Sequence, residues 1–324
     1  MPETRCLRPK GAWRRTVRSV VLAAALSVGV ATLIAGAVVL RDPTHHFLQR
    51  RSHLVAVSEG PIEVLDAHHV QSIRLTAASG LEVELLVKRP AEHGATGAVT
   101  ERPLVLLLGG HRTGRDAVRL IPKTHGAVVA ALNYPYRGEH RLKGLEVVEE
   151  VPAIRTAVFD TPPAVMLALD YLLALPDVDA RRVEGVGISL GAPFMVIAGA
   201  LDDRLTRVWA IHGSGGSYGA LETNLRPNIP SRPARVAVAG IATLLISGPR
   251  LAPERWAGQI SPRPFVMLNA EDDERMPRVL VDRLYASAEE PKSMIWMPGG
   301  HVRPNAERVQ PLVDTILARV LTGP

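Results

Sequence analysis

The feature that most constrains the fold of this chain is a strand-like run that passes through a tight turn directly into an apolar helical segment, over residues 183–200. The turn reads Gly187-Ile188-Ser189-Leu190-Gly191. A serine on a sharp strand-to-helix turn projects its hydroxyl outward, and glycine two residues to either side lets the neighbouring backbones pass closely. This order of strand, turn and helix predicts an α/β sheet and makes Ser189 the candidate nucleophile.

A second match to the same pattern occurs at 215–219, around Ser217. It also follows a strand-like run, 207–211, but extra glycines lengthen the turn and several prolines follow soon afterwards. No clean helix is expected after Ser217, so we interpret this stretch as a glycine-rich exit into a variable insertion and prefer Ser189.

The remaining pattern extends the sheet on both sides of this turn. Three strand-like runs, 54–57, 70–75 and 81–87, predict an antiparallel meander, and continuous apolar runs indicate buried strands. Helical segments are predicted at 161–175, with two prolines in its first turn, and at 278–288 and 307–321. We therefore predict one α/β domain over 54–324, a mostly parallel doubly wound sheet of about eight strands, with a small cap inserted at 217–262. The buried runs are 104–108, 127–132, 183–188, 207–211, 264–269 and 293–297.

The amino terminus has a different composition from the rest of the chain. A basic tail, 1–18, precedes 22 uncharged residues, 19–40, which as a helix would extend about 33 Å and could cross a membrane. This length favours a retained anchor over a signal peptide, although Ala35-Gly36-Ala37 is a possible cleavage site. The basic tail predicts an extracytoplasmic domain, joined through a linker at 41–53 and either anchored in the membrane or secreted after cleavage.

Charge and cysteine content exclude several classes of function. The tail's six basic and one acidic side chains give net +5, so the rest of the chain carries about +1 of the total +6. Nothing therefore points to nucleic acid as a partner. Cys6 is the only cysteine, and the histidine pairs at 45–46 and 68–69 lack further residues at metal-ligand spacing. We expect neither a metal nor a cofactor.

Three kinds of polar side chain follow buried strands of the predicted sheet. Ser189, the pair Asp272 and Asp273, and His301 all lie where a strand ends, and parallel strands bring their carboxyl ends to one edge. Serine needs a base to act as a nucleophile, histidine titrates in the right range, and a carboxylate orients the imidazole. This sequence order of serine, acid and histidine predicts a catalytic triad.

A glycine-rich loop, 109–114, follows another buried strand. Small residues there would let backbone N–H groups face a ligand. We expect the N–H groups of His111 and Leu190 to form an oxyanion hole.

With these features the chain resembles the α/β-hydrolase superfamily, and within it the branch of dienelactone hydrolases and acetyl xylan esterases, over about 81–321. The resemblance is carried by Pro176-Asp177-Val178-Asp179 and Arg182, by the Ser189 turn, by the acidic loop ending in Met276-Pro277, and by Gly299-Gly300-His301. The family's acid loop, counted back four residues from Pro277, implies Asp273 as the triad acid. Counting from Asn269 implies Asp272 instead, and Asp273 is preferred.

The resemblance implies a serine hydrolase that cleaves a carboxylic ester, with a small-molecule or lipid-like substrate. A peptidase of the prolyl-oligopeptidase type or an acyltransferase would use the same fold. A catalytically silent binding protein is the alternative from another class. The sequence leaves the acyl group, the leaving group and the oligomeric state open.

Overall fold

The structure is a computed structural model of the 324-residue chain. It describes residues 41–91, 100–110, 113–138 and 146–321, together with Leu26, Gly29, Val30 and Gly36. The fold lies within the compact unit Pro43–Pro324. The predicted basic tail lies outside the described residues, and the predicted anchor is represented only by those four positions.

Within the described residues nine strands form one sheet, in the spatial order β1-β2-β3-β5-β4-β6-β7-β8-β9, where the sequence predicted about eight. The first three strands pair antiparallel, as expected from the meander, and β3 joins β5 antiparallel. From β5 to β9 all neighbours run parallel. The strands are β1 Leu54–Leu65, β2 His68–Ala77, β3 Glu82–Pro90, β4 Arg102–Leu108, β5 Val128–Leu132, β6 Val178–Ile188, β7 Arg207–Ile211, β8 Phe265–Ala270 and β9 Lys292–Met297.

Eight α-helices connect and cover these strands within the described residues. Four short 3₁₀ helices add to them, at Gly114–Leu120, Gly248–Arg250, Pro253–Arg255 and Ala257–Ile260. The α-helices are α1 Thr44–Arg51, α2 Glu146–Glu149, α3 Val151–Leu172, α4 Gly191–Leu201, α5 Ser217–Asn224, α6 Arg232–Leu245, α7 Arg278–Ser287 and α8 Ala306–Leu321.

The sheet is covered on both faces, which explains the continuous apolar runs of its central strands. Successive side chains of a strand point to opposite faces, so Leu106 and Leu107 of β4 enter different cores. One core packs against α3, α4 and α7. The other packs against α8 and the 3₁₀ helix at Gly114–Leu120. Burial on both faces rather than period-two alternation is the expected signature of such strands.

The stretch predicted as a linker, 41–53, contains helix α1 and belongs to the domain. Phe47 is 0 % exposed and lies against Phe159 and Trp256, with both ring centroids 5.9 Å away. Arg50 donates two hydrogen bonds to Asp160, of 2.7 and 2.8 Å. The linker prediction was wrong because one aromatic side chain in a polar stretch carries little periodicity, while it buries a large apolar surface.

The first long helix begins earlier than predicted. Helix α3 starts at Val151 rather than at 161, so Pro162 and Pro163 lie inside it and not in its first turn. An interior proline costs a helix about 3 kcal/mol. The helix nevertheless continues, because α3 buries most of its residues from Ala157 to Leu172 against the sheet.

The predicted cap, between β7 and β8, is entirely helical in its regular structure. Contrary to the prediction, a helix does follow Ser217, since α5 begins at that residue. Its prolines do not break helices, because Pro227 and Pro230 lie between α5 and α6 and Pro233 is in the first turn of α6. A proline in a first turn loses no intrahelical hydrogen bond.

Among the described residues, no single helix combines the length and the apolar composition needed to cross a membrane. One bent pair, Arg232–Leu245 with Gly248–Arg255, reaches that length and composition only jointly, across a bend of 65°.

Candidate active site

Ser189 lies on the turn between β6 and α4, at the carboxyl edge of the parallel strands. Its φ is +55°, in the left-handed region that non-glycine residues rarely adopt. Its N–H donates to the Ile211 carbonyl at 2.8 Å, which holds the turn against β7. A strained backbone held by its surroundings in this way recurs at functional sites.

The two flanking glycines are required because the turn is so tight. A Cβ on Gly187 would lie 2.6 Å from the Gly191 carbonyl oxygen. A Cβ on Gly191 would lie 2.1 Å from the Leu108 carbonyl oxygen. Both distances are too short for any side chain, so this steric restriction accounts for the glycine spacing around Ser189.

His301 follows β9 and contacts Ser189 directly. Its Nε2 lies 2.9 Å from the Ser189 Oγ, and its Nδ1 lies 2.9 and 3.0 Å from the two carboxylate oxygens of Asp273. The imidazole and the carboxylate are only 5 % and 2 % exposed. With Nδ1 donating to the carboxylate, Nε2 is an acceptor for the serine hydroxyl, which is the tautomer a general base needs.

Asp273 receives more hydrogen bonds than His301 alone provides. Its Oδ1 accepts from the N–H groups of Arg275 and Met276, at 2.9 and 3.1 Å. Burial of the carboxyl opposes its ionisation, but the hydrogen bonds from His212 and His301 outweigh burial and hold its pKa well below the usual range. Asp273 is therefore ionised at neutral pH.

The structure brings Asp273, and not the alternative Asp272, to His301. Asp272 is exposed, and its N–H donates to the Gly299 carbonyl at 3.0 Å. Glu274, the residue after Asp273, accepts the N–H of His301 at 3.1 Å and so joins the loop after β8 to the loop after β9. One aspartate is therefore held against His301 and the other faces solvent.

The sequence analysis missed a second imidazole on the same carboxylate. The Nδ1 of His212 lies 2.7 Å from the Asp273 Oδ2, and its ring is 4.9 Å from that of His301 between centroids. His212 is buried, has a φ of +48°, and donates its N–H to the Leu268 carbonyl at 2.7 Å. Its position immediately after β7, beside the strand that carries Ser189, is the signal that could have identified it.

The predicted oxyanion hole lies partly outside the described residues. His111 is in the gap 111–112, whereas Leu190 directly follows Ser189 and precedes the first residue of α4. Gly110 approaches Ser189, since a Cβ on it would lie 3.9 Å from the Ser189 Cβ. The Tyr134 hydroxyl donates to the Gly109 carbonyl at 2.6 Å, and burial raises the pKa of Tyr134 well above its usual value. The oxyanion assignment stays a prediction.

Ser217, the other candidate nucleophile, lies apart from this group. It begins α5 and adjoins Gly248, within the cap. The imidazole of His301 contacts Ser189 instead.

One group of side chains has the composition of a metal site. His212, Asp273 and His301 each have a ligand atom within 4.8 Å of the others. In the structure these atoms already hydrogen-bond to one another, and a metal would have to displace the protons shared with Asp273. The expectation that the protein uses no metal stays a prediction.

By sequence, no family model and no curated protein matches this chain. Solved structures do match its fold. Acetyl xylan esterase 1 from a Thermoanaerobacterium species is 14 % identical with a TM-score of 0.59, covering 86 % of this chain and 93 % of that one. The acetyl xylan esterase of a Paenibacillus species is 15 % identical with a TM-score of 0.60, covering 86 % and 92 %.

A cold-adapted esterase from an Arctic intertidal metagenomic library is 18 % identical with a TM-score of 0.54, and the alignment covers 82 % of this chain and 99 % of that one. At these identities the similarity establishes the fold and leaves the substrate open. The fold is that of the α/β-hydrolases, as the sequence analysis expected.

Proposed function

We propose that the protein is a serine hydrolase that cleaves a carboxylic ester through an acyl-enzyme intermediate. The observation that carries this proposal is the continuous row of hydrogen bonds from the Ser189 hydroxyl through His301 to Asp273, at 2.9 Å for each link. Such a row activates a serine hydroxyl at neutral pH. The esterases among the structural neighbours support the choice of an ester.

In the first half of the reaction the Ser189 Oγ attacks the ester carbonyl carbon while the His301 Nε2 takes the hydroxyl proton. The N–H groups of Leu190 and His111 stabilise the oxyanion. His301 then gives the proton to the departing alcohol oxygen, which leaves an acyl-serine. In the second half His301 deprotonates a water molecule that attacks the acyl carbon, and the proton returns to Ser189 as the acid departs.

The roles of the three residues differ. Ser189 forms the covalent bond and His301 moves the proton. Asp273 acts through His301, because its ionised carboxylate holds the Nδ1 proton and stabilises the imidazolium that forms during each proton transfer.

A fluorophosphonate probe and a short-chain nitrophenyl ester test the proposal on the purified full-length protein. We expect the probe to add to Ser189, as identified by peptide mass spectrometry, and the ester to be hydrolysed. Ser189→Ala should abolish labelling and lower the rate by at least about a thousandfold. Ser217→Ala is the matched control, because it removes the hydroxyl from the other Gly-x-Ser-x-Gly match.

Two outcomes contradict the proposal. Full activity in Ser189→Ala with loss in Ser217→Ala would move the nucleophile to the cap. A folded wild-type protein that neither takes up the probe nor cleaves any ester would be a binding protein.

We also propose that residues 19–40 anchor the domain on the extracytoplasmic side of a membrane. The uncharged 22-residue run behind a basic tail supports this location. The full chain should remain with membranes after alkaline carbonate extraction, and its domain should be accessible to external protease. A released protein that begins shortly after residue 37 would instead indicate a cleaved signal.

A further inference from the structure

A cavity with a mostly apolar lining opens beside the candidate nucleophile. It has a volume of about 340 Å³ and lies between the sheet and two covering elements, α8 and the 3₁₀ helix at Gly114–Leu120. Its polar wall carries Ser189 and His301, together with the exposed Arg275 and Arg303. Its apolar lining combines part-exposed side chains, Ile188 and Val302, with nearly inaccessible side chains of the core, Leu107, Ala117, Leu312 and Ile316.

The apolar lining extends from the edge of the sheet to the core of the protein. Leu107 and Ile316 are 1 % and 0 % exposed, and both are members of the core on the α8 side of the sheet. The polar residues lie on loops at the carboxyl edge of the sheet. The cavity therefore has its base on the core beneath the reactive serine, and one substituent of an ester bound at Ser189 would face that base.

We propose that this cavity binds the acyl chain of an unbranched, medium-length ester. This inference rests on the proposed function. The cavity has the liquid volume of roughly ten water molecules, at about 30 Å³ each, and a methylene group needs a similar space, so a chain of about six to ten carbons fills it. An acetyl group would fill only its mouth. The inference thus separates this protein from the acetyl esterases whose fold it shares.

The purified full-length enzyme is tested on nitrophenyl esters with acyl chains from two to fourteen carbons. We expect kcat/KM to rise about fourfold for each methylene up to about eight carbons, because each buried methylene adds about 0.8 kcal/mol of binding that persists in the transition state. Longer chains should then lose this gain, since they no longer fit.

Two variants should move the preferred length in opposite directions. Ala117→Leu fills part of the cavity and should shift the optimum to shorter chains by about two carbons, whereas Leu312→Ala enlarges it and should shift the optimum to longer chains. Leu317→Ala is the matched control, because Leu317 is equally buried on α8 but does not line the cavity. It should lower stability without changing the optimum.

The outcomes distinguish this inference from the proposed function. An active enzyme that prefers acetyl esters, or an optimum that moves equally in Leu317→Ala, would overturn the acyl cavity alone. A protein that hydrolyses no chain length and takes no fluorophosphonate at Ser189 would contradict the proposed function and this inference with it.

A separate observation concerns helix α6 of the cap, which presents its apolar face to solvent. Five large apolar side chains on α6 are 41–61 % exposed: Val236, Val238, Ile241, Leu244 and Leu245. The polar side chains that follow the helix's first residue, Arg235 and Thr243, are buried. This is the reverse of the usual orientation of a surface helix in a soluble protein.

The buried arginine accounts for this orientation. Arg235 contacts Glu222 of α5 at 2.5 Å and donates to the carbonyls of Ile229 and Pro230 at 3.0 and 3.2 Å. Its charge therefore fastens α6 to α5, and the apolar side chains are left facing outward.

The stretch of chain that contains this helix carries more positive than negative charge, although Arg226 lies 3.9 Å from Glu222. No acidic residue occurs between Glu222 and Glu254, a stretch that contains four arginines. Arg226 and Arg232, ahead of and at the start of α6, are both exposed. An exposed apolar face with basic side chains at its end is the pattern of a helix that lies in a membrane interface rich in anionic lipid. We propose that α6 binds such a surface, with Ile241 and Leu244 entering the boundary between headgroups and acyl chains.

A fluorophore at the face itself tests this proposal on the full chain. In a Cys6→Ser background, Ile241→Cys is labelled with an environment-sensitive dye, and Val279→Cys, an exposed position on α7, is the matched control. Vesicles of phosphatidylcholine with phosphatidylglycerol should shift the emission at 241 to the blue, whereas phosphatidylcholine alone should not. The dye at 279 should not respond. Arg226→Gln and Arg232→Gln should each weaken the response about fivefold.

Every other outcome overturns the proposal that α6 binds a lipid surface. A blue shift that grows with protein concentration without vesicles would indicate a second copy of the chain on α6. A dye that is already blue-shifted at every concentration, with or without vesicles, would indicate that another segment of the chain covers the face. An equal response at 241 and 279, or none at either, would show that α6 is not the contact.

Discussion

At the scale of single residues, the main finding is a carboxylate shared by two buried imidazoles. Asp273 accepts hydrogen bonds from both His301 and His212, at 2.9 and 2.7 Å to the same oxygen. A hydrogen bond to a charged group is worth about 1.5–3 kcal/mol. His212 therefore contributes to keeping Asp273 ionised and in place, although it does not reach Ser189 itself.

The first prediction separates the two neighbouring aspartates. Asp273→Asn should lower kcat/KM by about ten-thousandfold, because the amide cannot hold the Nδ1 proton of His301 and the wrong tautomer faces Ser189. Asp272→Asn changes an exposed side chain and should stay within about twofold of wild type. Steady-state hydrolysis of a nitrophenyl ester measures both, and equal losses in the two variants would argue against the assignment of Asp273.

The second prediction concerns His212 as a positioning residue. His212→Phe should reduce kcat between about tenfold and a hundredfold with little change in KM, because the carboxylate loses one of its hydrogen bonds. His212→Asn should recover most of the rate, since an asparagine amide donates from nearly the same place and tolerates the positive φ. Thermal unfolding checks that both variants fold. Loss of rate in His212→Asn as large as in His212→Phe would indicate only a packing role.

At the scale of elements, the stability of the fold depends on how helices and strands are attached to the sheet. Helix α1 is joined to α3 by the Arg50–Asp160 pair and by the buried ring of Phe47. At the start of β6, the end away from the nucleophile turn, Asp179 accepts hydrogen bonds from the N–H of Arg181 at 2.9 Å and from the Arg182 side chain at 2.6 Å. Both contacts lie far from Ser189 in sequence or along the strand, so they affect stability and not the chemistry.

The third prediction tests whether α1 is part of the domain. Phe47→Ala should lower the free energy of unfolding by about 3–5 kcal/mol, since it removes a fully buried ring from between Phe159 and Trp256. Leu48→Ala is the control on the same helix, at an exposed position, and should cost less than about 1 kcal/mol. Urea unfolding measures both changes. Equally small effects would show that α1 does not pack as part of the domain and that 41–53 is a linker.

The fourth prediction is a pH dependence at the start of β6. Burial opposes the ionisation of Asp179, but hydrogen bonds from Arg181 and Arg182 lower its pKa to about 2. A carboxyl whose pKa is lower in the folded than in the unfolded chain stabilises the fold above the unfolded value, about 3.9, and loses that contribution as pH falls through the folded value. The difference in unfolding free energy between wild type and Asp179→Asn should therefore be constant above about pH 5 and should shrink progressively as the pH falls to 2 and below. A difference that does not change with pH would contradict this.

At the scale of the whole molecule, the parallel sheet brings residues that are distant in sequence to one edge. The hydrogen bond between Ser189 and His301 spans 112 residues, and that between His212 and Asp273 spans 61. Each of these residues directly follows, or lies in the loop after, one of the four neighbouring strands β6 to β9. The same sheet also forms one wall of the cavity beneath Ser189, so a single architecture supplies both the reactive group and the space for a substrate.

The sequence alone determined the features that depend on neighbours along the chain. The glycines around Ser189 reflect local steric limits on a tight turn, and the apolar runs of the parallel strands reflect burial on both faces, so both could be recognised without coordinates. The Ser189, Asp273 and His301 positions followed from the ends of those runs. The hydrogen bonds between these residues could not be predicted from the sequence. Asp273 could be preferred to Asp272 only by analogy with a family pattern.

Only the tertiary structure decided the features that depend on distant parts of the chain. The burial of Phe47 and the continuation of α3 through Pro162 and Pro163 result from long-range packing that outweighs local preference. The outward apolar face of α6 follows from the contacts that bury Arg235. The position of His212 directly after β7 is visible in the sequence, but its role is not, because the carboxylate that it contacts lies 61 residues away. Steric limits between neighbouring residues can be recognised in short stretches of sequence, whereas contacts across a sheet form only when the strands assemble.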